Sequence, residues 1–227
     1  MNIFVVVSLI LLAMVISYLI GSISFAVLLS KIFAHKDVRN FGSGNAGMTN
    51  VMRTAGILPG ILTLLFDIIK GALACSIGKY MVFNYLFRTT ESEWLLPVYG
   101  ALLCGIFCQF GHVFPIYFGF KGGKGVATTV GIMAICNWVV LVIALLVFII
   151  IFILTKTVSK GSILAAASLP ICMFFLYNQM EGMPYTGYIQ CALTAVLAII
   201  IIVRHKDNII RIIHGHEKPI TSKSRED

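Results

Sequence analysis

The chain has 227 residues, 59% hydrophobic and 11% charged, with a mean hydropathy of +0.98. A soluble domain carries about a quarter of its residues as charges, so a water-solvated fold is excluded and one membrane domain spanning residues 1–227 is expected. The net charge is +8, but the basic residues lie between apolar runs, which points away from nucleic acid and towards anionic lipid or anionic ligands.

In chain order, apolar runs fall at Ile3–Ser30, Gly56–Ile77, Leu95–Phe118, Val126–Leu154, Ile163–Tyr177 and Thr186–Val203. The first has no basic flank and no small-residue cleavage pattern near its end, and reads as a retained span. The fourth exceeds the roughly 20 residues a span needs, and Asn137-Trp138 near its middle is a pair typical of a membrane interface. Loop charge decides how to count it. With the N-terminus outside and the long run taken as two short spans or a re-entrant hairpin, fourteen of the seventeen basic residues fall on the inner side, as the bias of cytoplasmic loops requires. The expectation is an all-α polytopic protein of about seven transmembrane helices. Its C-terminus is cytoplasmic, and its tail from about residue 204 is flexible at the end. The six cysteines, Cys75, Cys104, Cys108, Cys136, Cys172 and Cys191, lie in apolar runs without a C-x-x-C pair and read as packing residues. No metal or other cofactor is expected.

The inner loops are unlike ordinary connectors. Arg39–Arg53 packs Gly42, Gly44 and Gly47 among Ser43, Asn45, Thr49 and Asn50. Glycines let backbone N–H groups approach a ligand, and a loop that opens a helix aims N–H groups at an anion. Arg53 adds a planar fork for phosphate. Gly42-Ser-Gly44-Asn-Ala-Gly47, with Asp67 twenty residues on, is a literal dinucleotide fingerprint, but no βαβ pattern surrounds it. Gly111–Thr128 contains Lys121-Gly-Gly-Lys124-Gly125; it lacks the Ser or Thr of a Walker A loop after Lys124, yet two lysines around paired glycines suit an anion. Arg204–Glu217 holds His205 and Asn208 three apart on one helix face. Asp67 and Lys70 sit inside the second run, where ionised groups are costly, and their i, i+3 spacing suits an internal pair.

Taken together, Gly42–Arg53, Gly111–Pro115 with Phe120–Thr128, and Arg204-His205, Asn208-Ile209, Gly215 and Glu217 resemble the bacterial acyl-phosphate-dependent glycerol-3-phosphate acyltransferases. Shorter matches at Tyr18–Ile23, Asp67–Gly71 and Val158–Ser162 keep the family's order along nearly the whole chain. Ala46, Met48 and Lys160 stand where the family more often has Pro, Ala and an apolar residue. The resemblance implies seven membrane helices and a site on the cytoplasmic face of the bacterial inner membrane. It implies acyl phosphate and glycerol 3-phosphate as substrates, lysophosphatidic acid as product, and the enzyme supplying acyl phosphate as a possible partner. It marks Ser43, Lys121, His205 and Asn208 as catalytic. Gly42, Gly44, Asn45, Ala46, Gly47, Thr49, Asn50 and Arg53 of the first loop would bind substrate. So would His112, Gly122, Gly123, Lys124, Gly125 and Thr128 of the second, and Ser159 and Ser162. Asp67, Lys70 and Glu217 would be structural.

An acyl phosphate is already activated, so orientation and preorganised donors can do most of the work. On this reading Ser43 and the loop amides, with those around Gly122 and Gly123, hold the donor phosphate or the oxyanion. Arg53, Lys121 and Lys124 bind phosphates, and His205 and Asn208 orient glycerol 3-phosphate or move its proton. Thioester-dependent acyltransferases carry a His followed five positions later by Asp. Here the five histidines are followed at that distance by Asn40, Tyr117, Ile210, Pro219 and Thr221. The rival reading, a transporter of small phosphorylated anions, expects anion-binding groups at the midplane, whereas these loops lie at one face.

Overall fold

The computed structural model describes residues 2–177 and 185–217, and every described element is helical. The expected flexible end of the tail lies outside the described residues. Two compact units divide the chain, Met1–Trp138 and Val139–Asp227.

In the first unit, α1 (Ile3–Gly21) is apolar on every side, as a helix surrounded by lipid is. It breaks at Ser22-Ile23-Ser24 and resumes as α2 (Phe25–Ala34), which His35 ends in the left-handed region. The amphipathic α3 (Met48–Ala55) follows Gly47 directly. Then α4 (Ile57–Ser76) passes through a π-helical stretch, Ile77–Phe83, into α5 (Asn84–Thr90), giving one apolar rod of 34 residues. Pro97 opens α6 (Pro97–Val113), which stops just short of Pro115, whose ring disfavours helix at the residue before it. Gly125 precedes α7 (Val126–Cys136). Helices pack by backbone contact where glycines remove the side chain. A methyl on Gly21 would collide with the carbonyl of Cys108, and one on Gly71 with that of Thr128.

The second unit holds α8 (Trp138–Thr155), α9 (Val158–Tyr177) and α10 (Thr186–Arg204), with α9 against α10. The short amphipathic α11 (Lys206–Ile213) follows and is closed by Gly215 at φ 72°.

Among the described residues, six helices are long and apolar enough to cross a membrane: Ile3–Ala34, Ile57–Thr90, Pro97–Phe118, Trp138–Thr155, Val158–Leu176 and Thr186–Arg204. The long fourth run does divide, at Asn137, whose backbone is extended. Its halves are unequal, however. α8 is a full span of 18 residues, whereas the 11 residues of α7 rise only about 16 Å, about half of the hydrocarbon thickness. The seventh apolar helix is therefore a half-length one.

Candidate active site

The first glycine loop is organised from inside by Asn50, which is 2% exposed. Its Nδ2 donates to the carbonyls of Val38 and Phe41, both at 2.9 Å, and its Oδ1 accepts from the amide of Ser43 at 3.1 Å. Gly42 lies at φ 59°, against that same Oδ1, where no side chain fits. Asn50 thus shapes the loop and leaves Ser43 exposed at its tip. Val38, Ala46 and Val51 are buried below with Ala26 and Val27, and Phe118 packs on them. Asp37 grips Arg39 through both carboxylate oxygens, and Arg39 donates onward to the carbonyl of Phe118 at 2.6 Å. Those hydrogen bonds from Arg39 hold the Asp37 carboxyl below its ordinary range, outweighing the burial that would raise it. Arg39 therefore fastens the first loop to the second.

The second loop departs from expectation in one respect. The amides of Gly122 and Gly123 were expected to face a phosphate or oxyanion. Instead they donate to the carbonyls of Val113 and His112, at 3.2 and 3.1 Å, closing the end of α6. Helix ends leave carbonyls without intrahelical partners, and the turn of the chain supplies them. The amide of Ser43 is likewise committed to Asn50. Further N–H groups are offered by the helix starts that both loops lead into. Met48 and Thr49 open α3, and Val126, Ala127 and Thr128 open α7, all lacking an intrahelical acceptor by the geometry of a helix start. The Thr128 hydroxyl is fully buried and has no hydrogen-bond partner among the described residues.

Lys121 ahead of α7 and Arg53 in the last turn of α3 are exposed, and Asn45, Gly47, Thr49 and Lys124 are half-buried. Gly44 and Gly125 take positive φ, at 68° and 86°. The two loops come together at Gly123, where a methyl group would meet His112 Nε2 and lie 2.6 Å from the Ala46 carbonyl. Beneath them, Lys70 Nζ is 2.7 Å from Asp67 Oδ1, so the i, i+3 pair forms, with His112 as an additional member. Gln109 supports α7, accepting from Thr129 Oγ1 at 3.0 Å. Sequence reasoning missed Arg39 and Gln109. The signals available were an Asp-x-Arg just before the glycines and a lone amide in an apolar run.

In the second unit, Glu217 gathers the predicted residues. Its Oε1 accepts from Ser159 Oγ at 2.6 Å and Asn208 Nδ2 at 2.7 Å, and its Oε2 from Arg211 Nε at 2.7 Å. Burial would raise its carboxyl, but these three donors win and hold it below the ordinary value. Ser162 is buried in the first turns of α9. His205 is 3% exposed, with Nδ1 2.8 Å from the carbonyl of Ile201. A carbonyl only accepts, so Nδ1 carries a proton, and when the ring is neutral Nε2 is its accepting nitrogen. Among the described residues no group of three or more His, Cys, Asp or Glu is placed to hold a metal ion.

Residues 11–215 match the family model for glycerol-3-phosphate acyltransferase. The chain belongs to that family. It is 38% identical over 213 residues to the glycerol-3-phosphate acyltransferase of Chromobacterium violaceum, covering 91% of this chain and 93% of the relative. It is 35% identical to glycerol-3-phosphate acyltransferase 2 of Bacillus anthracis, covering 92% and 98%. Its fold matches a crystal structure of PlsY (YgiH), an integral membrane glycerol 3-phosphate acyltransferase in its glycerol 3-phosphate form. The TM-score is 0.77 at 32% identity, over 92% of this chain and 94% of that one. The lysophosphatidic acid form matches with a TM-score of 0.75 at 30% identity. The protein is an integral membrane acyltransferase.

Proposed function

We propose that this enzyme transfers the acyl group of acyl phosphate to the sn-1 hydroxyl of glycerol 3-phosphate, giving 1-acyl-glycerol 3-phosphate and inorganic phosphate. The observation that carries the reading is the joining of two glycine loops at Gly123 and Ala46, each leading directly into a helix start, with Arg53, Lys121 and Lys124 beside them. Helix N-termini with adjacent cations suit phosphate groups. The reaction needs no covalent enzyme intermediate. The hydroxyl oxygen adds to the acyl carbon, the carbon–oxygen bond to phosphate breaks, and the hydroxyl proton leaves to a base. His205 Nε2, in the tautomer fixed by Ile201, is suited to accept that proton; a substrate phosphate oxygen is the other available base. Asn208, held by Glu217, and Ser159 are assigned to orienting glycerol 3-phosphate. Ser43 donates its hydroxyl to the donor phosphate or to the developing oxyanion.

We assign the loops to the cytoplasmic face of the bacterial inner membrane, with the N-terminus outside. The excess of lysine and arginine between the runs supports this. Reporters fused after Lys124, Lys160 and Asp227 are expected on the cytoplasmic side, and one after Arg88 outside; opposite sides for Lys124 and Lys160 would refute the assignment. The donor is tested by incubating purified protein with glycerol 3-phosphate and either acyl phosphate or acyl-CoA, following lysophosphatidic acid. Turnover with acyl phosphate alone is expected. Equal rates with both donors would reject the reading.

A further inference from the structure

Lys70 belongs to a membrane-spanning helix, yet its ammonium is fully engaged. It lies 2.7 Å from Asp67 Oδ1, 2.9 Å from His112 Nδ1 and 3.0 Å from the carbonyl of Ile23, at the break between α1 and α2. An ammonium has three N–H donors and no acceptor. Lys70 pairs with the Asp67 carboxylate and can only donate to the Ile23 carbonyl and to His112 Nδ1, so His112 Nδ1 is the accepting nitrogen and the neutral ring carries its proton on Nε2. The Nε2 edge is turned to Gly123, where the chain allows no methyl group, beside the carbonyl of Ala46. The main-chain carbonyl of His112 meanwhile accepts from the Gly123 amide at 3.1 Å. His112 thus contacts the second loop with both ring and backbone, at the point where the first loop touches it.

Asp67 explains why a cation is needed. Its Oδ1 lies 3.5 Å from His112 Nδ1. Without Lys70 this carboxylate would draw a proton to Nδ1 and remove the constraint that puts the ring proton on Nε2. A hydroxyl or amide at position 70 could rotate to accept instead of donate; an ammonium cannot. A simple buried ion pair, by contrast, can often be replaced by apolar residues without loss.

We propose that Asp67, Lys70 and His112 form a positioning relay for the acyl-transfer site. Asp67 pairs with the Lys70 ammonium and holds it in place, Lys70 fixes the His112 tautomer, and the His112 Nε2–H edge sets the spacing of the two glycine loops and so of the helix starts they lead into. On this proposal His112, which the resemblance marks for substrate binding, acts as a positioning residue through the loops, as Asp67 and Lys70 do. The inference rests on the reading that these loops bind the substrates.

The test uses the full chain, purified in micelles and labelled with nitrogen-15 at histidine. The His112→Gln variant identifies the His112 signals. Wild-type His112 is expected to show a protonated Nε2 and a bare Nδ1, and Lys70→Met a protonated Nδ1. The double variant Asp67→Leu/Lys70→Met is expected to recover thermal stability lost in Lys70→Met alone. Its kcat/KM for glycerol 3-phosphate is nonetheless expected to stay about 10- to 100-fold low, the range of one charge-assisted hydrogen bond. His112→Gln, which keeps an N–H near the Nε2 position, should lose clearly less activity than His112→Leu, which should match the double variant. A protonated Nδ1 in the wild type, or a double variant that recovers both stability and activity, would overturn the relay. Failure of the loop reading shows itself separately: Ser43→Ala and Lys121→Ala would stay fully active while the tautomer result stood.

Discussion

Asp67 and Glu217 are both gripped by several neighbours, yet the two units hold their carboxylates by different means. Asp67 is 2% exposed, and its charge is matched by an equally buried ammonium. Glu217 is held by a hydroxyl, an amide and a guanidinium that is itself exposed. The first arrangement leaves no route for water to replace a lost partner. The second does. One is a rigid frame member, and the other a knot that can be loosened without being destroyed.

The sharpest way to break this contrast is Lys70→Met, which strands the Asp67 charge. A buried pair deprived of one member is expected to cost about 3–5 kcal/mol of stability, read as thermal unfolding in detergent. A small loss there would mean that Asp67 takes up a proton or reaches water, and the frame would be no more rigid than the knot. Gly123→Ala comes next. The added methyl meets His112 and Ala46, and the displacement of both loops is expected to lower kcat/KM on the order of 100-fold, the scale of one lost oxyanion donor. Lys121→Ala and Arg53→Ala remove exposed cations and should lower activity by about 10- to 150-fold with unfolding temperatures unchanged. Lys156→Ala, just past the end of α8 and outside the three basic-loop motifs, should leave both quantities near wild type.

A modest effect is expected of Glu217→Gln, about 1 kcal/mol, because water can re-solvate its partners. Its pH dependence carries more information than its size. The Glu217 carboxyl is held below its ordinary value in the folded protein. Its contribution is therefore fully present above the unfolded value of about 4.3 and lost as pH falls through the lower folded value. Acid unfolding scans should show the wild type losing stability below about pH 4.3 more steeply than Glu217→Gln. Parallel curves would mean the knot contributes nothing.

The sequence made the helices legible because lipid imposes a uniform rule of long apolar runs. Their ends were less so. The second run continues to Thr90 because the π-helical stretch carries it past Lys79 and Tyr80, polar groups that look like a boundary. The fifth begins at Val158 and takes Ser159 and Lys160 into the helix. The helix starts after Gly47 and Gly125 followed from the glycine pattern, as did the Asp67–Lys70 pair from its spacing. The direction of the Gly122 and Gly123 amides did not, since it depends on carbonyls that α6 leaves over about ten residues earlier. His112 as the third member of the buried triad was equally hidden, being 42 residues from Lys70. Local pattern shows where a loop opens a helix; which atoms it then answers to is decided by distant chain.

The half-length α7 has a consequence for how the protein is made. Its 11 residues cannot carry it across a bilayer alone, and unsatisfied carbonyls at its far end would be left in hydrocarbon. Part of the remedy is built in: Lys79 Nζ donates to the carbonyl of Ile135 at 2.9 Å. Lys79 is synthesised 56 residues before Ile135, on the rod that α4 begins, and α7 packs against α4. The berth thus precedes its occupant in the order of synthesis, and a lesion at Lys79 is expected to lower insertion yield before it alters the finished enzyme.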